Sequence, residues 1–220
     1  MTANIKYLPK YTRNEEVGNA VSHFIGALFA IATFVIFLIT GISKNYSTMH
    51  MMPFYVYSVF MFIMFFNSGF YHSRPFNSLS RAYSRIIDHC DIYTFVYATY
   101  LPIAIYGIQQ FEISMFVILG QLLLCFTGIG LNAIQKESKA LNIITFFIYI
   151  IQGWMIAIVY PLNVGIPGNV FTFILIGGIL YSVGAILYGV GKLKRWSHTI
   201  FHVFVLIAAI IQFLGILLLV

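Results

Sequence analysis

Charge is what this chain has least of. Of its 220 residues, 12 are lysine or arginine and 6 are aspartate or glutamate, so charged side chains make up 8%, against about a quarter in soluble domains. So few cannot cover the surface of a chain that is 60% hydrophobic, and a soluble globule is excluded. Cysteine is scarce as well. Cys90 and Cys125 stand inside apolar runs without metal or redox spacing, which excludes a disulfide framework and makes them small buried hydrophobes. Linkers, low-complexity tracts and soluble repeats are missing, so no second domain is expected. The net charge of +6 lies in short connections between apolar runs and marks membrane topology rather than a nucleic-acid surface. The first 18 or so residues are polar, and the apolar run after them is long enough to span without a small-residue cleavage pattern, so no cleaved signal peptide is expected.

What is present is long apolar runs. Runs of about 20 residues mark helices, whereas a membrane barrel shows weaker alternating strands of about 10. The expected fold is therefore all-α and integral to the membrane, a bundle of seven transmembrane helices near 20–43, 51–72, 86–108, 113–134, 141–161, 169–191 and 197–220. Residues 1–19 form a cytoplasmic N-terminal tail, and residues 20–220 the membrane domain. Pro102 falls inside the third run and predicts a kink. Gly177 and Gly184 in the sixth suit close helix packing.

The basic residues orient the bundle. Lys6, Lys10 and Arg13 lie in the tail, Arg74, Arg81 and Arg85 in the second connection, Lys136 and Lys139 in the fourth, and Lys192, Lys194 and Arg195 in the sixth. The other side has only Lys44. Eleven against one places the N-terminus in the cytoplasm, and seven spans place the C-terminus outside the cell.

That orientation gathers scattered polar residues. The second span ends in "NSGFYHS", the third begins with "IIDHCDIY" and the seventh begins with "SHTIFH", all at the inner leaflet. His72, Asp88, His198 and His202 therefore lie at similar depth, where ionisable groups normally face a bundle interior or a cavity. His198 and His202, at i and i+4, share a helix face; alone, the pair fits a metal grip or simple helix-end polarity. With His72 they make a three-imidazole set of the kind open catalytic metal sites use. Asp88 is the candidate to hold a water, take its proton or orient an imidazole. Ser68, one turn before His72, is a candidate hydrogen-bond donor to a water or an oxyanion. Glu16, Asn19 and His23 form one stripe on the first helix and are candidates for the site mouth; helix-start chemistry explains Glu15 and Glu16 equally well. Asp91, one turn past Asp88, is a candidate supporting residue, or a partner for Arg85 or another inward polar group. His89, about 100° from Asp88, is left out of the metal set, and His50 reads as interfacial.

Ser68-x3-His72, then Asp88, then His198-x3-His202 across seven spans resembles the progestin and adipoQ receptor family. "EEVGNAVSHFIGALFA", "YHSRP…SRIIDHCDIYTFVYATYLP" and "SHTIFHVFVL" resemble its bacterial haemolysin III branch over essentially the whole chain. The resemblance implies zinc on His72, His198 and His202, with Asp88 contacting the water on it and Ser68 nearby. By likeness to a wider group of membrane metal hydrolases that includes alkaline ceramidases, it implies a lipid amide or ester substrate arriving sideways from the bilayer. It also implies a bacterial plasma-membrane location. "DHCDIY" departs from the eukaryotic receptors, and the long N-terminal domain of the adiponectin receptors has no counterpart here, so hormone binding is not carried over. Three functions follow as expectations: a zinc-dependent hydrolase of membrane lipids, a non-enzymatic sensor of membrane state with structural zinc, and the cytolysin that the branch name implies. Oligomeric state is not specified by the pattern.

Overall fold

The computed structural model describes residues 8–9, 11–134, 139–162, 164–191 and 195–220. Among them there is no strand, and seven long α-helices follow one another: α1 (Arg13–Ser43), α2 (Thr48–His72), α3 (Leu79–Pro102), α4 (Phe111–Ile134), α5 (Lys139–Val159), α6 (Gly168–Gly191) and α7 (Ser197–Leu217). Six of the helical segments are long and apolar enough to cross a membrane; α3, with Arg81, Arg85, Asp88 and Asp91, is the exception. Of the basic residues tallied above, Lys6, Lys10, Lys136, Lys192 and Lys194 lie outside the described residues.

Each helix packs on the next, and α1 packs on α7, which closes the ring. The outward faces are apolar: Leu28, Ile42, Phe111, Leu123 and Ile186 are each more than 60% exposed. Water would not tolerate such a belt, and lipid does. The interior carries the polar groups, several of them bound to backbone carbonyls of neighbouring helices. Gln121 Nε2 donates to the Gln152 carbonyl (2.8 Å), and Gln152 Nε2 to that of Tyr93 (3.1 Å).

Helix α1 starts earlier than its apolar run because polar chemistry starts it. Thr12 and Glu15 form a capping box: the Glu15 carboxylate accepts the Thr12 N–H at 2.8 Å, and the Thr12 hydroxyl accepts the Glu15 N–H at 3.4 Å. Pro102 does not kink a continuing α-helix. Instead α3 ends there and the chain runs on as a π-helical turn, Ile103–Gly107, a common way for a helix to absorb a break in its bonding. Ser114 of α4 donates its hydroxyl to the Ala104 carbonyl at 2.6 Å, which satisfies one acceptor in that turn.

Close helix seams run over glycine. A Cβ on Gly177 would stand 2.3 Å from Gln212 Cγ, and one on Gly184 3.2 Å from Phe201 Cδ2. At Gly26 the obstacle is the buried Phe65 ring, 2.4 Å away. Gly26→Ala is expected to lower stability by about 1–3 kcal/mol through overpacking, despite the better helix propensity of alanine. Thermal melting of the purified variant checks this, and pairing it with Phe65→Leu should recover part of the loss.

One end of the ring gathers the starts of α1, α3 and α7 and the end of α2. The opposite end holds Lys44, whose Nζ donates to the Val220 carbonyl oxygen at 2.5 Å. The candidate site lies at the first end.

Candidate metal centre

His72 is the last residue of α2, and His198 and His202 occupy the first two turns of α7. Their Nε2 atoms converge. His198 Nε2 is 3.3 Å from His72 Nε2 and 2.9 Å from His202 Nε2, and all three lie within 4.8 Å of one another. Ligands on a tetrahedral ion with bonds of 2.0–2.1 Å stand about 3.3 Å apart, so the triad has the spacing a single ion needs.

The orientation of His72 comes from α1. Glu16 Oε2 lies 2.6 Å from His72 Nδ1. A carboxylate only accepts, so Nδ1 carries the proton and Nε2 presents a lone pair to the other two rings. Asn19 Nδ2, also a donor, sits 3.4 Å from the same Nδ1; the shorter carboxylate contact decides the tautomer. With the His72 lone pair fixed, the three Nε2 atoms can share one N–H···N bond at most, because the central His198 Nε2 cannot donate and accept at once. The Nδ1 atoms of His198 and His202 are buried without a hydrogen-bond partner among the described residues. A cation at the convergence point would resolve this frustration, and neutral imidazoles are the donor set for it.

Around the triad, Glu16 is anchored by Arg81, a fully buried residue whose guanidinium binds the other carboxylate oxygen. Arg81 also donates to the Arg74 carbonyl at 3.1 Å. A carboxylate that accepts from a metal-facing imidazole fixes ring and tautomer together. The start of α7 is tied to the start of α1. Glu15 Oε1 accepts the N–H of Trp196 at 2.8 Å, and Trp196 caps α7 with φ at 65°. Thr199 donates to Asn19 Oδ1 at 2.6 Å. Tyr11 stacks on His198 with centroids 4.7 Å apart, and burial pushes its hydroxyl pKa upward, which keeps it neutral there.

The other sequence candidates divide. Glu16 and Asn19 reach His72. The His23 ring lies 3.7 Å from that of His202, but neither of its nitrogens has a hydrogen-bond partner among the described residues, and it is not in the converging group. Asp88 interacts with the Ser68 hydroxyl, which joins those two candidates to each other across α2 and α3. Asp91 is bound by Asn67 Nδ2 at 2.7 Å. In the sequence Arg81 counts only as a topology charge and Glu15 only as a helix-start acid, and nothing singles out Thr199 or Tyr11. The Thr12-x-x-Glu15 capping pattern was the one local signal among them.

A family model described as Haemolysin-III related matches residues 11–213. The chain belongs to the haemolysin-III-related family. It is 31% identical to Hemolysin-3 of Bacillus cereus over 219 residues, covering 99% of this chain and 96% of that protein. With the Hemolysin-3 homolog of Bacillus subtilis it shares 33% over 198 residues, 89% and 90% of the two chains. A distant relative is the adiponectin receptor protein of Drosophila melanogaster, 23% identical over 91% of this chain and half of the receptor. The bacterial haemolysin-III relatives and the six membrane-capable helices make this a multi-pass bacterial membrane protein.

Proposed function

We propose that this protein is a zinc-dependent hydrolase of amide- or ester-linked lipids, acting in the inner leaflet. The observation that carries the reading is the convergence of three imidazole Nε2 atoms, one of them oriented by a buried carboxylate. In this reading α3 is a seventh crossing, with its charged face turned to the bundle interior. The short tail is cytoplasmic and the C-terminus external, supported by the imbalance of basic residues between the two ends.

His72, His198 and His202 would hold the ion. When bound, zinc supplies Lewis acidity and brings the pKa of a water to about 7. Glu16 keeps the His72 proton on Nδ1, and Arg81 holds Glu16 in place. Asp88 takes the proton of the attacking water as its oxygen adds to the carbonyl carbon. Asp88 then returns that proton to the amine or alkoxide oxygen that leaves when the acyl bond breaks. Ser68 holds Asp88 in position and donates toward the developing oxyanion.

A structural zinc with a sensing role would want a fourth protein ligand. His23 is beside the triad, yet its nitrogens are not among those within 4.8 Å of one another, which favours the open, catalytic reading. Haemolysis belongs by name to the Bacillus cereus relative. The test is turnover: the purified, zinc-loaded protein should release free fatty acid from ester- or amide-linked membrane lipids. A zinc-loaded protein inert toward both linkages would overturn the hydrolase reading and leave the sensor.

A further inference from the structure

A cavity of about 600 Å³ lies between α1 and the end of α2, and its floor includes Glu16 and His72. Its lining along α1 is ordered by depth. Arg13 is at the membrane edge, Glu16 one turn in, and then Val17, Val21 and Phe24 run along one stripe toward the bilayer centre. Val17 and Val21 are about half exposed, 54% and 50%, so the stripe is open to lipid on its flank. Arg74 closes the mouth from the other side.

The two arginines at the mouth differ from Arg81. Arg81 donates from its two Nη atoms to Glu16 and to backbone carbonyls. Arg13 and Arg74 make no ion pair with a carboxylate among the described residues. Arg74 is held over the Phe70 ring at 3.9 Å, and its Nε is buried without a hydrogen-bond partner among the described residues. Two uncompensated guanidiniums at the headgroup level, above an apolar stripe, form a site for an anion with a hydrocarbon tail.

We infer that this groove binds an anionic glycerophospholipid of the surrounding leaflet, its phosphate on Arg13 and Arg74 and one acyl chain along Val17, Val21 and Phe24. In such a lipid the acyl ester lies just below the phosphate and just above the chain. That order, phosphate, ester, chain, is the order Arg13 and Arg74, Glu16 and His72, Val17 to Phe24. The groove stands apart from the hydrolase reading: of the triad only His72 lines it, and Ser68 and Asp88 do not.

The test measures retention of phosphatidylglycerol against phosphatidylcholine by native mass spectrometry of the purified protein, with activity assayed in parallel. Each arginine contributes roughly fivefold and the two together about 25-fold in preference for the anionic lipid. Arg13→Gln with Arg74→Gln should abolish that preference with the melting temperature unchanged. Val21→Trp should block the groove and lower retention of both lipids, and glycerol phosphate without chains should not displace bound lipid. The His198→Ala/His202→Ala variant should keep the preference while losing turnover. A wild type without preference, a preference that survives loss of both arginines, or displacement by chain-free glycerol phosphate would overturn the groove. Retained phosphatidylglycerol with no hydrolysis would overturn the hydrolase reading while leaving the groove intact.

Discussion

Glu16→Ala is expected to weaken zinc binding by about 10–100-fold, the usual cost of losing a carboxylate that orients a ligating imidazole. Three consequences act together. His72 Nδ1 loses the acceptor at 2.6 Å, so its proton is free to move to Nε2 and occupy the lone pair the ion needs. The ring loses its rotational restraint. Arg81, fully buried, is left without a counter-charge, and breaking a buried pair from one side costs about 3–5 kcal/mol. Glu16→Gln retains the shape and keeps an acceptor for the imidazole but removes the charge, so its effect on metal affinity should be smaller. Arg81→Met should destabilise through the opposite orphan, a buried carboxylate. In the Glu16→Gln/Arg81→Met double variant neither charge remains, and stability should recover relative to Arg81→Met alone. Metal titrations and thermal melts of the wild type and these four variants measure both effects. Equal zinc affinity in wild type and Glu16→Ala would remove Glu16 from the centre.

Asp88→Asn is expected to reduce hydrolysis by 10²–10⁴-fold, the range of general acid–base contributions, while zinc content stays at the wild-type level. The asparagine keeps a hydrogen-bonding partner for Ser68 but can neither take a proton from water nor return one to the leaving group. Ser68→Ala should cost less, since it removes only the positioning hydroxyl and one oxyanion contact. Loss of zinc in Asp88→Asn would instead make Asp88 a ligand. The split between metal content and turnover separates the two roles, and a purely structural role for Asp88 would move neither without lowering the melting temperature.

Most of the architecture is legible in the residues because membrane helices are selected by local apolar length. The expected spans overlie the seven helices closely, and the largest departures are the early starts of α1 at Arg13 and α3 at Leu79, where a capping box and the Ser78 N-cap start helices that hydropathy cannot register. Pro102 is the other departure: the sequence marks a break but does not specify that a π-helical turn takes it up. The metal triad was approachable for a different reason. His198 and His202 declare a shared face by spacing alone, and topology carries His72 to their depth. The partners of that triad were not legible. Glu16 meets His72 and Arg81 across separations of 56 and 65 residues, and nothing local distinguishes a carboxylate that orients a ring from one that favours a helix start. Arg81 has the same ambiguity, since a buried counter-ion and a topology charge look alike until the helices are packed. The groove was invisible for the same reason, being made by two helices and the connection after the second.

The central claim is that three imidazoles and their supporting carboxylate hold one ion. The measurement that tests it most directly is the metal content of purified wild type beside that of the His198→Ala/His202→Ala variant, by elemental mass spectrometry at equal protein concentration. The account predicts one zinc per chain in the wild type and none in the variant, with the variant still folded by its helical circular dichroism. A folded wild type that takes up no zinc when it is supplied, or a variant that holds as much as the wild type, would contradict it.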